Sequence, residues 1–442
     1  MTPSTNIDQD AVLRARTMLL GTDQPSLGQQ VGAYRVLAEA NPSVHLPRLV
    51  RALLRSGWAT ELRDRPDLRL PLFAEAAAAA RRIDAADPAR TRLLVDALSG
   101  YQHQLYAAGR RSEGFAVCRE MAEAGRSGFE RGQVESPVHG HGRLAAVLAE
   151  EGRHAEAAAI LGRVGRNRRS DDAQDDTFSA HFWRVVAWSA ELDAAGLHGE
   201  ALDAFAALVD DTRAEHRVDG TASAVLAWTL VRHAEMLDAA GRGPEAGTAR
   251  SEALDLLTGL ADSGEPVSWS NINAWWAVLL SLSGRHAEPA GTADAPAPPF
   301  GQDEDWSPDV RQVYSEGLPA LEASVGELTA RTAAHTGADG SGSCQHLAEL
   351  VAVQRRLTIR TAVLRERRCY ILEPLHTLFD EGVALARRLS ATAEAADRAG
   401  AAAPGGRAAL GRALTDRAMF RVAAKQYREA RDDFREAVGL LG

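Results

Sequence analysis

The chain has 442 residues, 45% of them hydrophobic but only 5% aromatic, and 60 acidic against 50 basic side chains give it a net charge of −10 at pH 7. An acidic balance of this size repels nucleic acid and favours a neutral or basic ligand. No apolar run approaches the length of a membrane span, and the three cysteines, Cys118, Cys344 and Cys369, make neither a disulfide framework nor a zinc spacing. Alanine-rich, aromatic-poor segments with few β-branched runs predict an all-α protein. The first ten residues lack the basic stretch and apolar core of a secretion signal, so a cytoplasmic location is expected.

Residues 1–45 are expected to form an N-terminal helical cap, and residues 46–286 a main array of about six helix-turn-helix units. The first of these units is weakly marked, around Asp64-Arg65-Pro66, with Trp58 before it and Phe73 and Ala76 after it. A clear signature then returns five times. Gly109, Gly152, Gly196, Gly241 and Gly284 stand 43, 44, 45 and 43 residues apart. Each has leucine four positions earlier (Leu105, Leu148, Leu192, Leu237, Leu280) and glutamate four positions later (Glu113, Glu156, Glu200, Glu245, Glu288). The leucine faces the core at the end of a first helix, the glycine supplies a left-handed cap, and the glutamate falls in the first turn of a second helix, where the macrodipole favours a carboxylate.

Arginine follows the glycine in every unit but the third, where Leu197 stands. A small residue follows the glutamate at Gly114, Ala157, Ala201 and Ala246, so the two helices can approach closely. Apolar residues then continue at helical spacing: Cys118 and Met121, Leu161 and Val164, Phe205 and Leu208. The fourth unit departs from this pattern with Arg250. The fifth has Pro289 at the small position, which puts its second helix in question.

Three interruptions are visible. Arg166 to Asp176 sets an arginine cluster before four aspartates and reads as a solvent-exposed connection. Residues 287–307, rich in Pro, Ala and acidic side chains, read as a linker. Residues 308–442 form a C-terminal helical segment, with a flexible glycine-serine loop at 337–343 and the stretch AAAPGG before a final hairpin. Charge changes sign here: residues 345–442 carry 17 basic and 12 acidic side chains. Arg355, Arg356, Arg360, Arg365, Arg367 and Arg368 crowd one predicted helix from about His346 to Leu372, which reads as a solvated arginine face.

Sequence motifs of catalysis are missing. There is no His-Glu-x-x-His, no Gly-x-Ser-x-Gly, no glycine-rich dinucleotide fingerprint and no paired cysteine set. His139-Gly140-His141 is the one compact cluster with ligand chemistry, and it brings no identifiable third ligand.

The repeated signature resembles the tetratricopeptide repeat. The nearest local match is Tyr427, Ala430, Phe434 and Ala437, at that family's second-helix spacing. The period exceeds the family's usual value of about 34 residues, as in the long-helix variant of kinesin light chains and many actinobacterial regulatory proteins. The resemblance implies a right-handed helical solenoid that binds a peptide or partner protein in its concave groove; no cofactor, nucleic-acid or membrane partner is expected. Self-association is compatible with such an array. In the family's register the groove residues are Asp96, His103 and Tyr106; His139 and Arg143; Trp183 and Asp193; Trp228, Arg232, Glu235 and Asp238; Asn271 and Trp275. Trp183 and Trp228 occupy equivalent positions, and two readings stay open for them: indoles lining the groove, or packing between repeats. Trp188 and Trp276 fall at core positions. The expected function is a cytoplasmic binding scaffold, of which a peptide-sensing regulator is one form. The alternative is an enzyme or metal-binding protein on a helical-repeat scaffold, using His139, His141 and nearby acids.

Overall fold

The computed structural model describes residues 8–20, 25–63, 65–166, 178–218, 222–265, 272–300, 306–334, 340–365, 373–398 and 405–441. Every regular element among them is helical. The expectations placed on the 166–176 connection, the AAAPGG stretch, Asn271, Arg367 and Arg368 lie wholly or mostly outside the described residues. No helix among the described residues is long and apolar enough to cross a membrane.

Two compact units divide the chain. Residues 1–148, 159–176 and 307–310 make the first, and residues 149–158, 177–306 and 311–442 the second. Residues 287–306 and 311–442 thus share a unit with 177–286.

In the first unit lie α1 (Gln9–Leu20), α2 (Leu27–Ala40), α3 (Pro42–Gly57), α4 (Pro66–Arg81), α5 (Arg90–Ala107) and α6 (Arg111–Glu130), each packed on the next in sequence up to α6. Local chemistry sets their starts. Ser26 and Gln29 close a reciprocal capping box ahead of α2, and Pro42 and Pro66 open α3 and α4, where a missing N–H costs nothing. At the place of the weak first unit, Phe73 is fully buried, meets Trp58 edge-on at 4.9 Å, and sits where a Cβ on Gly57 or Gly100 would collide with its ring. Residues of α7 (Gly142–Glu150) and α8 (His154–Arg166) fall in both units.

The second unit begins with hairpins α9 (Phe178–Ala194) with α10 (His198–Val218) and α11 (Ser223–Ala239) with α12 (Gly243–Ser263), followed by α13 (Ile272–Gly284). Beyond these come α14 (Pro308–Glu316), α15 (Leu318–Ala334), α16 (Gly340–Arg365), α17 (Glu373–Arg398), α18 (Gly406–Ala423) and α19 (Tyr427–Leu441). The helix α16 starts at Gly340, inside the stretch expected as a glycine-serine loop.

The repeated turn has one backbone geometry. Gly109, Gly152, Gly196 and Gly241 all take positive φ, between 68° and 79°. In three of these turns the residue after the glycine donates its N–H to the signature leucine: Arg110 to Leu105, Leu197 to Leu192, and Arg242 to Leu237, at 2.8–2.9 Å. This six-to-one bond explains the fixed Leu-to-Gly spacing, since the leucine carbonyl is the orphan acceptor that the cap satisfies. The following arginine reaches over the turn to the glutamate, as Arg110 to Glu113 and Arg153 to Glu156 at 2.7 Å and Arg242 to Glu245. Ala157, Ala201 and Ala246 at the small position are fully buried. Lys425, the single lysine, holds the same place between α18 and α19 with φ 60°, and Gln426 N–H donates to Arg421 O at 2.8 Å.

The fifth turn departs from the expected left-handed cap. Gly284 has φ −97°, the chain continues as a short 3-10 turn, Arg285–Ala287, and Glu288 is extended. No helix among the described residues lies between Ala287 and Pro308. With Pro289 denying α13 a second helix, α12 packs instead along α19.

Stability measurements on two turns check this geometry. Gly196→Val places a β-branched residue at φ 79° and should cost roughly 1–2 kcal/mol. Lys425→Gly relieves the same strain and should raise stability by about 1 kcal/mol. Denaturant midpoints that stay unchanged for both would contradict the turn assignment.

Candidate functional site

The groove residues expected in the first unit do not form one open surface. Tyr106 is 0% exposed, with its hydroxyl 4.0 Å from Cys118 Sγ and the Arg111 guanidinium over its ring at 5.1 Å. It is a core residue, held there because α6 brings Gly114 against the ring. Asp96 is exposed, His103 half-buried near Trp58, and His139 and Arg143 are half-buried. In the His-Gly-His loop, His141 turns its Nδ1 back to His139 O at 3.2 Å, and burial pushes its pKa below the ordinary imidazole value, leaving it neutral at pH 7. Among the described residues no group of three His, Cys, Asp or Glu side chains could hold a metal ion.

The tryptophans of the second unit separate. Trp275, 3% exposed, lies 4.5 Å from Phe182 and 4.7 Å from Trp183, so the half-buried Trp183 rests on an aromatic cluster. Trp228 is 2% exposed and donates its indole N–H to Met419 O of α18 at 3.2 Å. Its packing partner is therefore a helix of this same chain, 191 residues away. Of the two readings left open for Trp228 its burial matches packing, and Trp275, expected in the groove, is buried as well. Trp276 packs on Phe379 and Phe420, as its core position requires.

The other expected residues of this unit do converge. Asp193, Arg232, Glu235 and Asp238 line one cleft of about 970 Å³, with Arg250 from α12, His286 after α13, Arg355 from α16, and Arg412 from α18. Leu202, Val231, Met236, Phe434 and Leu441 supply its apolar wall. Trp228, Arg232 and Glu235 stand four and three residues apart, on one face of α11. Arg232 pairs with Glu235 at 3.0 Å, and Arg250, at the position where other units carry an apolar residue, pairs with Asp238. Asp193 accepts from His198 at 2.7 Å and His286 at 3.1 Å.

Arg355 joins three segments. Its Nε and Nη2 grip Asp416 at 2.6 and 3.2 Å, and Nη2 also reaches Ser283 Oγ at 2.8 Å. Burial alone would pull its pKa down, but the charge and hydrogen bond of Asp416 outweigh that and raise it, so the guanidinium stays charged. Arg360 binds Glu288 at 2.6 Å and covers the Tyr314 ring at 4.5 Å, with Arg356 at 3.5 Å from the same glutamate. These arginines pin α16 in place, which corrects their reading as a solvated face.

Two arginines of the cleft are incompletely partnered. Arg232 is 9% exposed, yet its Nε has no hydrogen-bond partner. Arg412 is exposed at the cleft and makes no ion pair. Sequence reasoning missed Arg250, Arg355 and Arg412 as site residues. The anomalous Arg250 and the break at Pro289 were the signals that could have pointed to them.

No protein-family model matches this chain, and a comparison with curated proteins also finds no match.

Truncating the covered indole separates packing from an open site. Trp228→Ala should cost about 3–5 kcal/mol of stability, as loss of a buried aromatic does, while Arg412→Ala should leave the melting temperature within about 1 °C. A Trp228→Ala protein as stable as the parent would show that the indole is not core.

Proposed function

We propose that this chain is a non-catalytic binding protein of tetratricopeptide-like hairpins that holds a peptide segment of a partner protein in the cleft of its second unit. The observation that carries the reading is the cleft's composition: about 970 Å³ lined by apolar side chains and by charges of both signs, with the buried Nε of Arg232 left without a partner. A buried donor without an acceptor costs on the order of 1–3 kcal/mol, a penalty that a ligand carbonyl or carboxylate would remove once the Arg232 side chain turned its Nε toward the cleft. Large volume, apolar area and a few fixed polar groups are the general make-up of a ligand cleft.

The cleft suits an extended segment better than a reacting centre. Its acids are already occupied, Asp238 by Arg250, Glu235 by Arg232 and Asp193 by two histidines. Each of these carboxylates would have to break a structural pair before it exchanged a proton with a substrate. A cytoplasmic scaffold, or a regulator that senses a peptide, fits this chemistry.

Display of random peptides against the full-length chain provides the test. Selected peptides should lose about 2 kcal/mol of binding, roughly thirtyfold in Kd, on Arg232→Ala or Glu235→Ala, with melting temperature as the control for folding. Binders that are indifferent to both substitutions would place the peptide site elsewhere.

A further inference from the structure

A second, smaller cavity lies beside the cleft in the same unit. It holds about 250 Å³ between α16, α17 and α18, walled by Val351, Ile359, Leu378, Phe379 and Leu389 with alanines between them. Its polar wall groups are few. Arg355 and Asp416 satisfy each other, and Thr358 donates its hydroxyl to Gln354 O at 2.9 Å. Arg412 alone among the wall's charged groups makes no ion pair.

Size and chemistry together define an occupant. An apolar cavity of about 150 Å³ takes a benzene molecule, so 250 Å³ has room for a phenyl ring and a short alkyl chain. One cation at the rim of an apolar chamber calls for one anionic group on an apolar body, because a carboxylate meets a guanidinium through two parallel charge-assisted bonds. Gly405, the N-cap of α18, is also in the wall and brings no capping side chain, so the positive end of the helix dipole adds to the same polarity.

We propose that this chamber binds a small apolar carboxylic acid, an aryl or alkyl acid whose body lies among Ile359, Leu378 and Phe379 and whose carboxylate pairs with Arg412. The site is distinct from the peptide cleft and does not depend on a peptide being bound there. Arg412 lines both spaces, so an acid bound in the chamber would neutralise the one arginine of the cleft that lacks a counter-ion.

Calorimetric titration of the full-length protein with 4-phenylbutyrate and with its amide, 4-phenylbutyramide, tests the assignment. The acid should bind one per chain, and the amide roughly tenfold more weakly or worse, the scale of a hydrogen bond to a charged group. Arg412→Gln should lower affinity for the acid by a similar factor and leave the amide unchanged. Ala413→Phe, filling the chamber, should remove both. Equal affinities for acid and amide, absence of acid binding, or unaltered acid binding by Arg412→Gln would each overturn the proposal. A peptide ending in phenylalanine with a free carboxylate supplies the remaining arm. If it displaces the acid and binds at least tenfold more tightly, the chamber reads a chain end, and the assignment to a small free acid is wrong.

Discussion

A helix hairpin leaves one apolar face that something must cover, and in the second unit that demand falls hardest after α13. Glu288 is extended and Pro289 follows, so α13 has no second helix of its own. The cover comes from the far end of the chain, with α19 along α12 and α18 beneath Trp228 and Trp276. At about 25 cal/mol per Å² and roughly 200 Å² per indole, each buried tryptophan contributes on the order of 5 kcal/mol. Exposed turn pairs such as Arg110–Glu113 give far less, so packing on α18 dominates.

The ion pairs around that junction act differently. Arg355–Asp416, Arg360–Glu288 and Arg285–Glu191 are largely buried, and desolvation cancels most of their attraction. Their geometric demands are strict, however, and each joins segments distant in sequence. Glu191 accepts from both Arg285, at 2.9 Å, and His154, at 2.7 Å, so the arginine of the fifth signature serves contacts outside its own turn. Among the arginines of the cleft, Arg412 makes no ion pair, and Arg232, paired with Glu235, keeps a buried Nε without a hydrogen-bond partner. The functional proposals rest on that division between arginines that are satisfied and those that are not.

Local structure was legible in the sequence because it depends on near neighbours. The leucine, glycine and glutamate of each signature encode a cap, its acceptor and the first turn of the next helix, all within nine residues, and four of five glycines adopt the required left-handed conformation. Pro289 correctly marked the missing helix. What periodicity does not encode is which hairpins meet after a reversal of the chain. Trp228 carried equal claims as groove residue and core residue because its partner, Met419, lies 191 positions away. The arginines of α16 read as solvated for the same reason: their acids, Glu288 and Asp416, come from other segments. The site was therefore half legible. Asp193, Arg232, Glu235 and Asp238 were found from one side of the cleft, and the side built by α16, α18 and α19 was not.

That the C-terminal hairpin belongs to the core of the second unit is the premise of both cavities, since α18 lines both and α19 lines the larger one. Native-state hydrogen exchange of the intact chain, resolved by peptide, tests it most directly. Slowest-exchanging amides of α11 and α18 should open with the same free energy, and Asp416→Asn should lower both by the same amount, because one cooperative unit opens as a whole. Independent opening of α18 and α19, with α11 still protected, would contradict a shared core and remove the walls on which the site depends.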